Sequence, residues 1–296
     1  MAADSKSFNW RWFMKATALV LAFFLIVVPA FFAVALIPVV DQPLYNFILF
    51  HPSKYPIGSY DHPIAAGVKA KEVYLLSSSG TKIHGWLFIK PGAKYIVVLS
   101  HGNGGNLTWR ADIHEMMLKA GHSVFAYDYQ GYGLSDGSPN MYNICEDSQA
   151  AYNYVAKTLH YKPEQIILFG ESLGTAVTGQ LAMKNKCAAV ILQNPLYSIM
   201  RRGREILPVL SAYPQFMWPQ GGFDTGTFVQ GKHPPLLIVG GTKDTMLPIA
   251  HADSLYALAS EPKTYIRVEG GGHTGDKILM GEQYRSGYEK FCNSLP

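Results

Sequence analysis

The longest uninterrupted apolar run lies near the N-terminus, where no charged residue occurs from Ala16 to Val40. As a helix those residues would extend roughly 37 Å, more than the ~30 Å hydrocarbon core of a bilayer. Pro29 predicts a kink of the kind that embedded helices tolerate. Arg11 and Lys15 precede the run, Trp10 and Trp12 supply interfacial rings, and Asp41 follows it. This charge bias predicts a cytoplasmic N-terminus and export of the remainder. The reading is a cytoplasmic tail over residues 1–15 and an uncleaved transmembrane signal anchor over 16–40. A competing reading takes Ala33-Val34-Ala35 as a cleavage site, which would release a secreted protein starting at Leu36. The run is long for the apolar part of a signal peptide and continues past that site. A buried core helix of this length would show some polar face, and none is present.

Residues 41–70 change character. Proline and aromatic rings dominate DQPLYNFILFHPSKYPIGSY, which predicts an extended connector packed on the domain that follows. From Lys71 onward, short apolar runs alternate with helical patterns. KEVYLL and KIHGWLFIK flank SSSG and predict an antiparallel pair. Further strands are predicted at 95–100, 123–129, 165–170, 188–194, 235–241 and 263–270. Helices are predicted near 109–120, 141–159, 172–184, 248–259 and 279–293. Continuous apolar strands separated by helices imply a mostly parallel sheet with helices on both faces. Residues 71–296 thus read as one α/β domain, with an aperiodic stretch at 195–232 in the position of a short cap. No repeat or low-complexity tract divides it.

Open α/β sheets build their sites beyond the carboxyl ends of the strands. After QIILFG comes Ser172, at the apex of GESLG and followed by a helical pattern. Between a strand and a helix this string predicts a nucleophile elbow, with glycine at 170 and 174 because side chains there would collide with strand and helix. The competing role for Ser172 is a helix cap. A serine needs a base and an orienting acid to attack at neutral pH. The expected chain order is Ser, then Asp or Glu, then His. Asp244 follows PLLIVGG, and His273 follows YIRVEG behind three glycines that free the backbone. His251 falls in a helix and His233 precedes a strand, so both are worse placed. SHGNGGN (100–106) follows YIVVL and could aim the Asn103 N–H, with that of Leu173, at an oxyanion.

Composition narrows the alternatives. The net charge of +4 is mild for 296 residues, and no basic stripe is interleaved with aromatics, which argues against nucleic acid as a partner. Cys145, Cys187 and Cys292 are far apart with no CxxC, which excludes a zinc knuckle or a dense disulfide framework. Neither SHGNGGN nor GYGLSDG (131–137) has the third glycine of a dinucleotide fingerprint in register. The second reads as a tight turn.

SHGNGGN, YDYQGYGLSDG, GESLGTAV, GGTKDTMLP and EGGGHTG occur in this order, and over residues 70–296 the chain resembles the alpha/beta-hydrolase superfamily. With its N-terminal anchor and short cap it is most similar to the membrane-anchored branch that includes alpha/beta hydrolase domain-containing protein 13 and its bacterial relatives. The resemblance implies the alpha/beta-hydrolase fold and a serine hydrolase without cofactor. It implies Ser172 as nucleophile, His273 as base, Asp244 as orienting acid, and Asn103 and Leu173 as oxyanion donors.

The expected substrate is a carboxylic ester or thioester of an acyl group, with lipids in view because the domain is anchored. The cap carries Tyr197, Tyr213, Phe216, Trp218, Phe223 and Phe228, which read as an apolar rim or as packing residues. Arg201, Arg202 and Arg204 read as contacts for lipid phosphate or as a solvated helix face. A serine peptidase, an acyltransferase and a non-catalytic anchored interaction protein are the alternatives. Asn106-Leu107-Thr108 is a glycosylation sequon. A glycan beside the oxyanion loop would crowd it, so the domain is expected not to face a glycosylating lumen; a bacterial protein facing the periplasm satisfies both this and the charge bias.

Overall fold

The structure, a computed structural model, describes residues 10–30, 42–54, 64–218 and 223–296. One helical stretch, Trp10–Ala30, is long and apolar enough to cross a membrane. It consists of α1 (Trp10–Ala22), a π turn at Phe23–Val27 and a final turn holding Pro29. It starts earlier than the predicted span and takes in Arg11 and both interfacial tryptophans. Proline lacks an N–H and crowds the carbonyl four residues back; here that is Leu25, inside the wider π turn. The rest of the predicted span, the candidate cleavage site at 33–35 and residues 1–9 of the tail lie outside the described residues.

The connector departs from the extended chain predicted for 41–70. Its first part is a helix, α2 (Gln42–Leu49). Pro43 falls in the first turn, where no helical hydrogen bond is lost, so its presence does not oppose the helix. Beyond it the chain does extend: His51–Pro52 pairs in parallel with Gly104–Gly105, and Lys54 bridges to Gly133. A small hairpin joins Ile64–Ala65 to Val68–Lys69. Residues 55–63 of the connector lie outside the described residues.

The central sheet contains β1 (Lys71–Leu76), β2 (Lys82–Phe88), β3 (Ile96–Ser100), β4 (Ser123–Tyr127), β5 (Ile166–Glu171), β6 (Ala189–Gln193), β7 (Leu236–Gly241) and β8 (Lys263–Val268). Its spatial order is β1-β2-β4-β3-β5-β6-β7-β8. Only the β1–β2 and β2–β4 pairs are antiparallel; β4 through β8 run parallel. The helices after α2 are α3 (Ala111–Lys119), α4 (Met141–Asn153), α5 (Gly174–Lys184), α6 (Ile199–Ile206), α7 (Thr225–Gln230), α8 (Ala250–Leu258) and α9 (Glu282–Asn293). The predicted helix at 141–159 is α4 prolonged by a π turn, Tyr154–Thr158.

Strand periodicity divides the core into two layers. From β3 and β5, Ile96, Val98, Ile166 and Leu168 join Ile144, Val177 and Leu255 of α4, α5 and α8. Their neighbours Val97, Leu99, Ile167 and Phe169 join Ile113 and Met117 of α3 and Tyr284 and Phe291 of α9. Each fully buried aliphatic or aromatic side chain contributes about 1.5–3 kcal/mol, so both faces must be covered, and helices cover both.

The cap holds α6 and α7, with residues 219–222 outside the description. Trp218, Phe223 and Phe228 are buried and serve packing, whereas Phe216 is 72% exposed. The arginines of α6 are engaged within the protein. Arg201 donates to Glu205, Ser254 and the Ala250 carbonyl. Arg202 donates to Glu205, and Arg204 to the Tyr213 carbonyl. Glu205 also faces His251 Nε2 at 2.9 Å, while His251 Nδ1 accepts from the Tyr197 N–H. His251 therefore ties the cap to α8.

Candidate active site

The parallel register brings the ends of β3, β5, β6, β7 and β8 to one rim of the sheet. Ser100 lies opposite Gly170, Gln193 opposite Glu171, and Gly241 opposite Val268. The residues that follow these ends, Asn103, Ser172, Asn194, Asp244 and His273, therefore converge although they are distant along the chain.

Ser172 occupies a left-handed conformation with φ 54°, a strain of about 1–3 kcal/mol for a non-glycine residue. Its surroundings enforce it. The Ser172 N–H donates to the Gln193 carbonyl at 2.9 Å, and the Ser172 carbonyl accepts from the Thr175 N–H at 3.0 Å and from Thr175 Oγ1 at 2.6 Å. A Cβ on Gly170 would lie 2.6 Å from the Gly174 carbonyl oxygen, and one on Gly174 would strike the Ser100 and His101 carbonyls. The flanking glycines let β5, α5 and β3 approach. Gly174→Ala is expected to destabilise the domain by about 1–3 kcal/mol through overpacking, read as a lower thermal midpoint; an unchanged midpoint would show that the elbow has room to spare.

His273 Nε2 lies 3.0 Å from Ser172 Oγ, and His273 Nδ1 lies 2.6 Å from Asp244 Oδ2. Asp244 Oδ1 accepts the N–H groups of Met246 and Leu247, each at 2.8 Å. Oδ2 also accepts Asn194 Nδ2 at 2.7 Å. Burial works to raise the Asp244 carboxyl, but the hydrogen bond and charge of His273, with these donors, hold it below its ordinary value. Asp244 therefore stays an acceptor, which fixes the imidazole proton on Nδ1 and leaves Nε2 free to accept one from Ser172. Ser172 is 7% exposed, buried within the cleft rather than capping a helix in solvent.

The loop after β3, residues 101–106, is fastened from several sides. His101 Nδ1 lies 2.7 Å from the Gly102 carbonyl; a carbonyl only accepts, so Nδ1 carries the proton. That bond holds and polarises the peptide whose other end is the Asn103 N–H. His101 Nε2 faces Asp128 Oδ1 at 3.4 Å. Tyr129 Oη donates to the His101 carbonyl and Tyr132 Oη to the Asn103 carbonyl. From the connector, the His51 N–H reaches the Asn103 carbonyl at 3.0 Å. Below the loop, Arg110 donates to Gly104 and Asn106 carbonyls and makes a two-pronged pair with Glu171 at 2.9 and 3.1 Å. Burial works to raise the Glu171 carboxyl, but the Arg110 charge holds it below its ordinary value. His101, Arg110, Asp128, Glu171 and Asn194 were not anticipated from the sequence. The one available signal was Glu171 itself, a carboxylate ending a buried strand, where an unpaired charge is untenable.

Asn106 of the sequon is buried. Its amide nitrogen donates to the Ser53 carbonyl, and its oxygen accepts from the Thr108 N–H, so in the folded domain the nitrogen is already committed.

Two cavities meet at Ser172, His273 and Asn103. One, of about 270 Å³, is walled by Leu49, Leu196, Ile199, Ile206 and Leu247, with Leu173 at its base. The other, of about 210 Å³, is lined by Trp109, Arg110, Glu171, Thr274 and glycines 102, 104 and 275. Among the described residues, no group of three or more His, Cys, Asp or Glu side chains could hold a metal ion.

Comparison with known proteins bears on the fold and the family. The family described as Serine aminopeptidase, S33 matches residues 91–232. An uncharacterized protein of Mycobacterium tuberculosis (strain CDC 1551 / Oshkosh), MT2364, is 28% identical over 274 residues, covering 87% of this chain and 93% of the relative. The esterase Pf2001 of Pyrococcus furiosus superposes with a TM-score of 0.67 at 16% identity, covering 83% of this chain and 98% of that one; it shows the shared fold. Alpha/beta hydrolase domain-containing protein 17C of Xenopus tropicalis is 31% identical over 229 residues, covering 76% of this chain and 70% of the relative. By that likeness, and by an eight-stranded sheet whose order and helix layers are those of the fold, the chain belongs to the alpha/beta-hydrolase superfamily.

Proposed function

We propose that the protein is a membrane-anchored serine hydrolase that cleaves carboxylic esters or thioesters of acyl substrates. The observation that carries this reading is the unbroken chain of hydrogen-bonding distances from Ser172 through His273 to Asp244. Ser172 Oγ attacks the carbonyl carbon as His273 Nε2 takes its proton. The N–H groups of Asn103 and Leu173 receive the oxyanion; losing one such donor costs about 3 kcal/mol in comparable sites. His273 returns the proton to the departing alcohol or thiol, leaving an acyl group on Ser172. Water, activated by the same imidazole, attacks that acyl-enzyme and frees the acid. No step needs a cofactor. The helix Trp10–Ala30 serves as the anchor, with the N-terminus cytoplasmic and the hydrolase domain exported.

The matched family description favours a second reading, an aminopeptidase. Such an enzyme must hold the substrate's α-ammonium with an unpaired carboxylate. Among the described residues lining the two cavities the sole carboxylate is Glu171, and both its oxygens are committed to Arg110. The ester reading fits better. A fluorophosphonate probe is expected to label the full-length protein at Ser172 and to leave Ser172→Ala unlabelled. Equal labelling of both proteins would overturn the assignment.

A further inference from the structure

We infer that the apolar cavity is the acyl-chain subsite, that the polar cavity receives the leaving group, and that the connector helix α2 sets which acyl chains fit. The inference rests on the hydrolase reading above and assigns the two sides of its cleft. Both cavities touch Ser172 and His273, so the bond to be cut lies between them and the two halves of the substrate must part to opposite sides. Their linings differ in chemistry. On one side aliphatic groups from α2, the cap and the loop after β7 predominate, among them Ile48, Leu49, Ile199, Ile206 and Leu247, while His51 and Arg202, the latter paired with Glu205, also line it. On the other stand Arg110, Thr274 and glycine backbone beside Trp109, a surface suited to a polar alcohol or thiol portion. A hydrocarbon chain gains more by leaving water on the first side, where aliphatic groups predominate.

The size of the apolar cavity decides the rest. At about 270 Å³ it falls just under the ~300–1,000 Å³ range of pockets that bury a drug-sized ligand. A short acyl group fills it, and a long one continues over its rim. That rim is open and apolar: Ile48 is 47% exposed, Ile206 57% and Met246 56%. The Ile48 part of the rim belongs to α2, the element that follows the membrane-spanning stretch most closely in the chain, with residues 31–41 between them. A tail leaving the cavity past Ile48 runs along α2, the element nearest the anchor in sequence. The connector thus contributes twice to the site, through the α2 wall and through the His51 N–H on the oxyanion loop.

The test uses the full chain in detergent and a series of p-nitrophenyl esters of increasing acyl length, with active sites counted by fluorophosphonate titration. In the wild type, kcat/KM is expected to rise about fourfold per added methylene while the cavity fills, from ~0.8 kcal/mol per buried CH2, and then to level off. Ile48→Trp on α2 and Ile206→Trp on α6 each narrow the cavity from a partly exposed position. Each is expected to lower the ratio of octanoate to acetate turnover at least tenfold per titrated site. Trp109→Ala, in the other cavity, is expected to leave that ratio where it was. Unmoved ratios in both tryptophan variants, an equal loss on both esters, or a ratio that shifts with Trp109→Ala alone would each overturn the assignment. If the wild type neither takes the probe nor turns over any ester, the hydrolase reading itself falls; if it does both and the ratios hold, only the subsite assignment falls.

Discussion

Ser172→Ala and His273→Ala are each expected to lower kcat for p-nitrophenyl ester hydrolysis by about 10⁶-fold, and the double variant by no more than either alone. A hydroxyl is a poor nucleophile until its proton is taken during attack, so serine without imidazole and imidazole without serine are equally idle. Asp244→Asn is expected to cost about 10⁴-fold, for a reason visible in the hydrogen bonds. Asp244 Oδ1 holds two backbone N–H groups, so an asparagine keeps its oxygen there and turns its NH2 toward His273. Two donors cannot face each other. The imidazole must present a bare Nδ1 and keep its proton on Nε2, where it can no longer accept from Ser172. Asn194 resists the change, because its Nδ2 donates both to Asp244 and to the Gly272 carbonyl, and turning its amide over would set its oxygen against that carbonyl. The measurement is kcat per titrated protein for the four variants, with circular dichroism to verify folding. Multiplicative losses in the double variant would mean that Ser172 and His273 do not act as one unit.

How much of this was legible in the chain depended on the range of the interaction. The strands announced themselves because β3, β5, β6 and β7 are buried on both faces and must be continuously apolar. Glycines 170 and 174 were legible because an elbow has a local steric requirement, met in the structure by carbonyls that leave no space for a Cβ. Asp244 and His273 were accessible through a positional rule, the carboxyl end of a parallel strand. What supports them was not. Arg110 and Glu171 are 61 residues apart, and Asn194 and Asp244 are 50 apart; no periodicity connects such pairs. Asn194 reads in the sequence only as the last residue of the strand at 188–194, whereas its side chain bridges to the acid after β7. Helix α2 is not legible because its proline and aromatic residues suggest an extended chain, while a proline in the first turn is compatible with a helix. The π turn before Pro29 depends on backbone detail that a hydropathy run does not encode.

Arg110→Ala is expected to destabilise the domain by about 3–5 kcal/mol, the loss found when one partner of a buried ion pair is removed. At roughly 2–4 °C per kcal/mol for a domain of this size, the thermal midpoint should fall by about 6–20 °C. The variant strands the buried Glu171 carboxylate and also takes the donor from the Gly104 and Asn106 carbonyls, so the loop after β3 loosens with the fold. Glu171→Gln is milder, because an amide oxygen still accepts from Arg110 and the two loop carbonyls keep their donor. The pair also predicts a pH dependence. The Glu171 carboxyl is held below its ordinary value of 4.5. In that pH region the unfolded chain binds a proton that the folded one does not, so the contribution to stability is full above 4.5 and is lost as pH falls through the depressed folded value. The gap in thermal midpoint between wild type and Glu171→Gln should therefore be widest near neutrality and close as pH falls below 4.5. A gap that persisted unchanged into acid would mean that Glu171 stabilises the fold by its shape and hydrogen bonds alone, and that its charge against Arg110 contributes nothing.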